Sequence, residues 1–155
     1  MLLKDKVAII TGAASARGLG FATAKLFAEN GAKVVIIDLN GEASKTAAAA
    51  LGEGHLGLAA NVADEVQVQA AIEQILAKYG RVDVLVNNAG IQRRHPFTEF
   101  PEQEWNDVIA VNQTAVFLVS QAVTRHMVER KAGKVINICS MQSELGRDTI
   151  TPYAA

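Results

Sequence analysis

The sequence predicts an α/β fold built on a doubly wound parallel sheet, and three observations carry that prediction. Short, uniformly apolar strands alternate with helix-forming runs along all 155 residues, and strands without polar alternation belong to sheets covered on both faces. The first strand, ending at Thr11, enters a turn of small residues that feeds a helix at Gly20. The second strand, Lys-Val-Val-Ile-Ile-Asp, ends in a carboxylate, Asp38, twenty positions after Gly18. Right-handed crossovers then place a ligand at the C-terminal ends of the strands.

The spacing predicts strands near 6–11, 33–38, 56–60, 82–87 and 134–139, in a single domain spanning 1–155. Helices are predicted near 18–30, 41–51, 65–79, 101–111 and 113–131. Gly31, Gly80 and Gly133 stand where left-handed C-terminal caps are wanted. Asp64 is placed as an N-cap, with Gln67 as its capping-box partner. Pro101 suits a first helical turn, and Ala47–Ala50 is explained by helix propensity. The stripe Val111, Ala115, Leu118, Ala122 reads as core. Phe97, Phe100 and Trp105 read as packing at the fourth-helix entry. Cys139, ending the fifth strand, reads as a small buried core residue.

Bulk properties exclude several classes of function. With 15 basic and 16 acidic residues the net charge is −1, which argues against nucleic-acid or membrane-surface partners. No apolar run is long enough to span a bilayer, and the start of the chain lacks a signal-peptide pattern. The single cysteine rules out an internal disulfide and fits a reducing cytoplasm. His55, His95 and His126 are isolated, so no metal site is expected.

The residues just after each strand should face the ligand: Thr11–Gly20, Asp38, Asn61-Val62, Asn87–Gly90 and Cys139–Ser143. A glycine turn into a helix N-terminus suits a pyrophosphate, although Gly12, Gly18 and Gly20 lack the G-x-G-x-x-G spacing and a glycine-rich turn occurs in other α/β proteins. Asp38 suits a ribose hydroxyl; before Asn40-Gly41 it also suits a turn or helix cap.

In this order, Thr11-Gly12…Gly18-Leu19-Gly20, Asp38, Asn61-Val62-Ala63-Asp64, Asn87-Asn88-Ala89-Gly90, Asn112, Ser140 and Tyr153 resemble the short-chain dehydrogenases/reductases over essentially the whole chain. The resemblance implies a Rossmann-type sheet, truncated after about the fifth strand, and a hydride transfer between nicotinamide and an alcohol or ketone. It implies that Gly12, Ser15, Arg17, Gly18, Leu19 and Gly20 meet the pyrophosphate side of NAD or NADP. It places Asp38 and Leu39 at the adenosine ribose, Asn61 and Val62 at adenine, and Asn88, Ala89, Gly90, Val111 and Tyr153 along the cofactor cleft. Tyr153 resembles the general acid/base, Ser140 the group that polarises the carbonyl, and Asn112 the anchor of a proton-relay water. A tyrosine near pKa ~10 needs a neighbouring cation to act at neutral pH, and the family's Tyr-x-x-x-Lys lysine would fall beyond Ala155. The 155-residue polypeptide is therefore expected to be inactive, and a full-length parent to be an oxidoreductase and homo-oligomer.

Ala13 to Arg17 form a two-residue insertion relative to the family turn. Arg17 could meet a 2′-phosphate and favour NADP; Asp38 would repel that phosphate, so NAD is favoured. Residues 91–155 resemble the gluconate 5-dehydrogenase branch, while 1–90 resemble 3-oxoacyl thioester reductases, as in a hybrid joined near Asn87–Gly90. The first resemblance points to gluconate or 5-keto-gluconate as substrate, the second to 3-oxoacyl thioesters; a nucleotide-binding regulator without catalysis is a further alternative. Arg93 and Arg94 could clamp a carboxylate or simply be solvated. Gln142, Ser143 and Glu144 could meet sugar hydroxyls or form a polar loop.

Overall fold

Alternation along the apolar strands divides the core in two. The computed structural model describes residues 1–155. In β1 (Val7–Thr11), Val7 and Ile9 face one layer and Ala8 and Ile10 the other, as the period of two requires. The same split runs through β2 (Lys33–Asp38), β3 (Leu56–Ala59) and β4 (Val84–Asn87); β5 (Lys134–Asn137) completes a parallel sheet ordered β3-β2-β1-β4-β5. One layer comprises α1 (Leu19–Glu29) and α2 (Gly41–Ala50), whose Ala24 and Ala47 pack on Ala8, Ile10, Val34 and Ile36. The other comprises α3 (Glu65–Tyr79) and α5 (Ala115–Glu129), with Ile72, Ile75, Val119 and Val123 against Ile9, Val35 and Leu85. No helix is long and apolar enough to cross a membrane. Between β1 and β4 the strand order reverses, and a doubly wound sheet opens its ligand crevice at such a switch point.

Asp64 caps α3 as expected, accepting from the Val66 and Gln67 N–H groups. Gln67 reaches further back than a capping box requires: its Oε1 accepts from Asn61 N–H at 2.9 Å, fixing the strand-to-helix loop. Gly31 and Gly80 take positive φ of 92° and 70°, but after α5 the left-handed residue is Lys131 (φ 54°), not Gly133. Gly133 instead gives room to Met127, which a Cβ there would strike.

Four expectations change. The two helices predicted near 101–111 and 113–131 are one helical run: α4 (Glu102–Ile109) passes into α5 through a π turn at Ala110–Thr114, where Ala115 N–H bonds to Ala110 C=O five residues back. Within α5 the buried stripe is Ala115, Val119, Val123 and Met127, with Val111, Leu118 and Ala122 only partly buried. A π turn inside a helix commonly marks a functional position, and this one contains Asn112. Finally, all four residues of β5 are exposed, and so is Cys139. Within these 155 residues β5 pairs with β4 alone, and burial depends on what lies over a strand. Phe97 is likewise 71% exposed, whereas Phe100 and Trp105 pack edge to face at 6.4 Å.

His55 is not isolated. Its Nδ1 accepts the Val34 N–H at 3.0 Å, completing the start of β2. Burial, helped by the charge of Lys33, lowers its pKa below the ordinary histidine value. The unfolded chain therefore takes up the proton first. Stability present above the unfolded value near ~6.5 is lost as pH falls through the lower folded value. Urea midpoints of wild type and His55→Gln from neutral to mildly acidic pH should show the steeper decline in wild type; parallel declines would contradict the assignment.

Candidate active site

The turn after β1 and the segment after β4 are locked together by backbone geometry. Gly12 has φ +64°, and a Cβ there would lie 2.6 Å from the Ala89 Cα. Thr11 is buried, and its Oγ1 accepts from both the Asn88 and Ala89 N–H groups at 3.0 Å. The Asn88 amide donates to Thr11 C=O at 2.9 Å and Gly12 C=O at 3.0 Å. Gly20 is required by the same amide, since its Cβ would fall 2.6 Å from Asn88 Nδ2. Gly12→Ala should cost about 1–3 kcal/mol from backbone strain alone; an unchanged urea midpoint would contradict this packing.

Ser15 C=O accepts from Gly18 N–H at 2.9 Å, closing the longer turn that Ala13–Arg17 create. Gly18 is the N-cap of α1 and provides no side-chain cap, nor does α1 carry an acidic residue in its first turn. The helix therefore presents its N-terminal donors and positive dipole end to an incoming anion. Asp38 lies beside this turn, its carboxylate accepting from Ala14 N–H at 3.2 Å and Asn40 N–H at 3.4 Å. Arg17, Leu19 and Leu39 are exposed around it. Asn61 ties its own loop, accepting from Ala63 N–H at 3.0 Å. Val62 is buried, 7% exposed, and belongs to the core.

A cleft of about 580 Å³ opens from this turn toward the end of β5. Its lining includes Leu19, Asn88, Ala89, Gly90, Asn112, Ser140, Ser143 and Tyr153, so the three residues singled out for chemistry share one cavity. Ser140 follows β5, and its Oγ accepts from Gln142 N–H at 3.2 Å, which leaves the hydroxyl proton free to donate. Ser143 Oγ donates to Ser140 C=O at 2.6 Å. Tyr153 stands on a single helical turn, α7 (Thr151–Ala154), separated from β5 by α6 (Gln142–Leu145). Asn112 uses both ends of its amide on one residue: Oδ1 accepts from Ile91 N–H at 2.8 Å and Nδ2 donates to Ile91 C=O at 2.9 Å. The π turn thus grips the loop that leaves β4.

Other residues fall elsewhere. Arg93 and Arg94 are exposed and outside the lining; both hydrogen-bond Gln92, and Arg93 lies 3.6 Å from Glu104. Gln142 is also outside the lining, with its Oε1 buried and unpartnered. Sequence reasoning missed Gln92, which lines the cleft; Cys139, expected among the strand-end residues that face the ligand, lines it too. Sequence reasoning also missed a polar tie in the cleft wall: the buried Asn87 amide donates to Ser120 Oγ and Asn137 Oδ1, each at 2.9 Å, joining β4, α5 and β5. Two asparagines at the same height of apolar strands were the available signal.

The sequence model described as short chain dehydrogenase matches residues 6–155. The chain belongs to the short-chain dehydrogenase family. It is 65% identical over 156 aligned residues to the 5-keto-D-gluconate 5-reductase of Escherichia coli K12, covering 99% of this chain and 61% of that protein. It is 38% identical over 155 residues to a 3-oxoacyl-[acyl-carrier-protein] reductase of Vibrio cholerae, covering 63% of it. The alignment to the 5-keto-D-gluconate 5-reductase extends through both halves of the chain. Among solved structures, a gluconate 5-dehydrogenase from Burkholderia cenocepacia, in complex with NADP and tartrate, superposes with TM-score 0.91 at 47% identity, over 98% of this chain and 60% of that one. An NAD⁺-bound xylitol dehydrogenase superposes with TM-score 0.94 at 30% identity, over 99% and 60%. The chain thus spans about three-fifths of the length of these short-chain dehydrogenases.

Proposed function

We propose that the gene product containing this chain is an NAD(P)-dependent oxidoreductase that interconverts a sugar-acid ketone and its secondary alcohol, with 5-keto-D-gluconate and gluconate as the pair. The observation that carries it is the single cleft joining the uncapped N-terminus of α1 to Ser140 and Tyr153. The donor set fits a dinucleotide: free helix N–H groups for a diphosphate and a strand-end carboxylate, Asp38, for ribose hydroxyls. A bound nicotinamide supplies or accepts the hydride. Ser140 donates its free hydroxyl to the carbonyl oxygen, stabilising the charge that develops there. Tyr153 gives that oxygen a proton in reduction and takes it back in oxidation. Asn112 holds Ile91, and with it Gln92, against the substrate side of the cleft.

Asp38 favours a free ribose over a 2′-phosphate, since two backbone N–H groups already hold its charge at the turn. The 65% overall identity, against 38% to a 3-oxoacyl thioester reductase, favours a sugar acid over an acyl thioester. Exposed Phe117 and Val128 on α5 support a homo-oligomer, and the free Cys139 thiol supports a cytoplasmic location. Steady-state assays of the complete gene product should give a higher kcat/KM for 5-keto-gluconate than for a 3-oxoacyl thioester, and for NADH than for NADPH. A thioester preference would overturn the substrate, and an NADPH preference the role given to Asp38.

A further inference from the structure

The backbone around Thr149 is strained. Its φ is +72°, a left-handed value that is an outlier for a β-branched residue and persists only where neighbours hold it. The neighbour is His95, whose N–H donates to Thr149 C=O at 3.0 Å. Thr149 precedes the buried Ile150, whose C=O accepts from Tyr153 N–H at 2.9 Å. The strained residue therefore sets where the single turn of α7 begins, and with it where the phenol of Tyr153 stands.

His95 is itself fixed from three directions. Pro96 follows it and confines its backbone to extended geometry. Its Nε2 lies 3.0 Å from Glu104 Oε2 on α4, and its ring meets Phe100 edge to face at 5.2 Å. It also ends the loop from Ile91 that carries Gln92 into the cleft. One residue thus ties α4, the substrate-side loop and the turn bearing Tyr153.

We propose that the His95–Glu104 pair, through the His95–Thr149 backbone bond, is a positioning device that sets the Tyr153 hydroxyl against the substrate-side loop. This rests on the role proposed above for Tyr153. His95 touches no reacting atom; it acts through the backbone it orients.

The test uses the complete gene product with ¹³C-labelled tyrosine, the Tyr153 signal being assigned by its loss in Tyr153→Phe. His95→Ala and Glu104→Gln should each shift or broaden that signal and lower kcat by about 10- to 100-fold, the scale of a small misplacement at a reacting centre. Cofactor affinity should stay within about twofold, since the pair is remote from the Gly12–Gly20 turn. His95→Gln, which keeps a donor for Glu104, should recover most of the kcat. Thr149→Pro, which cannot take a positive φ, should reproduce the loss without touching the pair. An unmoved Tyr153 signal in both His95→Ala and Glu104→Gln would overturn the proposal. A moved signal in a protein that reduces no ketone would uphold the positioning and refute the activity instead.

Discussion

Tyr153→Phe removes one oxygen and is expected to lower ketone reduction by about 10²–10⁴-fold, the usual worth of a positioned general acid/base. Cofactor affinity should hardly change, because the phenyl ring still fills the same wall of the cleft. The prediction is sharp because the alternatives within the cleft are poor. Cys139 is exposed and lines it, but a thiol is a weak hydrogen-bond donor. Ser140 is oriented by Gln142 N–H to donate, not to take a proton. Stopped-flow reduction under single-turnover conditions would separate the chemical step from product release. A variant that keeps wild-type single-turnover rates would remove Tyr153 from the mechanism.

Asp83→Ala has the largest expected effect on stability, about 3 kcal/mol, the lower end for a broken buried ion pair because Arg81 is partly in water. Asp83 lies at the opposite end of the sheet from the cleft. Its carboxylate accepts from Val7 N–H at 2.9 Å, from Arg81 at 2.9 and 2.6 Å, and from Arg130 at 3.3 Å. Arg130 also donates to Val82 C=O at 3.1 Å. The start of β1, the approach to β4 and the end of α5 thus share one acid. Burial pushes its pKa up, but the Arg81 hydrogen bond, Val7 N–H and Arg130 outweigh that and hold it below the ordinary value. Its contribution is present above the unfolded value near ~3.9 and lost as pH falls through the lower folded one. Urea unfolding at neutral pH should show a large drop in midpoint for Asp83→Ala, shrinking toward acid pH. A drop independent of pH would place the cost in packing rather than charge.

The order of elements, the two-sided cover of β1, β2 and β4, and the ligand end of the sheet were legible because each rests on local pattern: apolar runs, glycine stops and the Asp64 cap. Of the strand-end residues singled out, Asn88 and Ser140 line the cleft, while Gly12 packs against Ala89 in its wall and Asp38 holds the neighbouring turn. What was hidden depends on contacts between distant segments. Asp83 reads as one acid among many until Arg81 and Arg130 converge on it. The π turn at Ala110–Thr114 leaves no sign in a periodicity that resumes on the next turn. Cys139 had the right composition for a core residue and the wrong neighbours. Arg93 and Arg94 suggested a carboxylate clamp by proximity in sequence; both hydrogen-bond Gln92, yet neither lines the cleft.

The central claim is that one cleft holds a nicotinamide beside the hydroxyls of Tyr153 and Ser140. A crystal structure of the complete gene product with NAD⁺ and gluconate tests it directly. The account predicts a diphosphate on the Gly12–Gly20 turn, Asp38 on the ribose, and the reacting carbon about 3–3.5 Å from the nicotinamide ring with its oxygen facing both hydroxyls. A dinucleotide bound with its nicotinamide directed away from Tyr153 would contradict it.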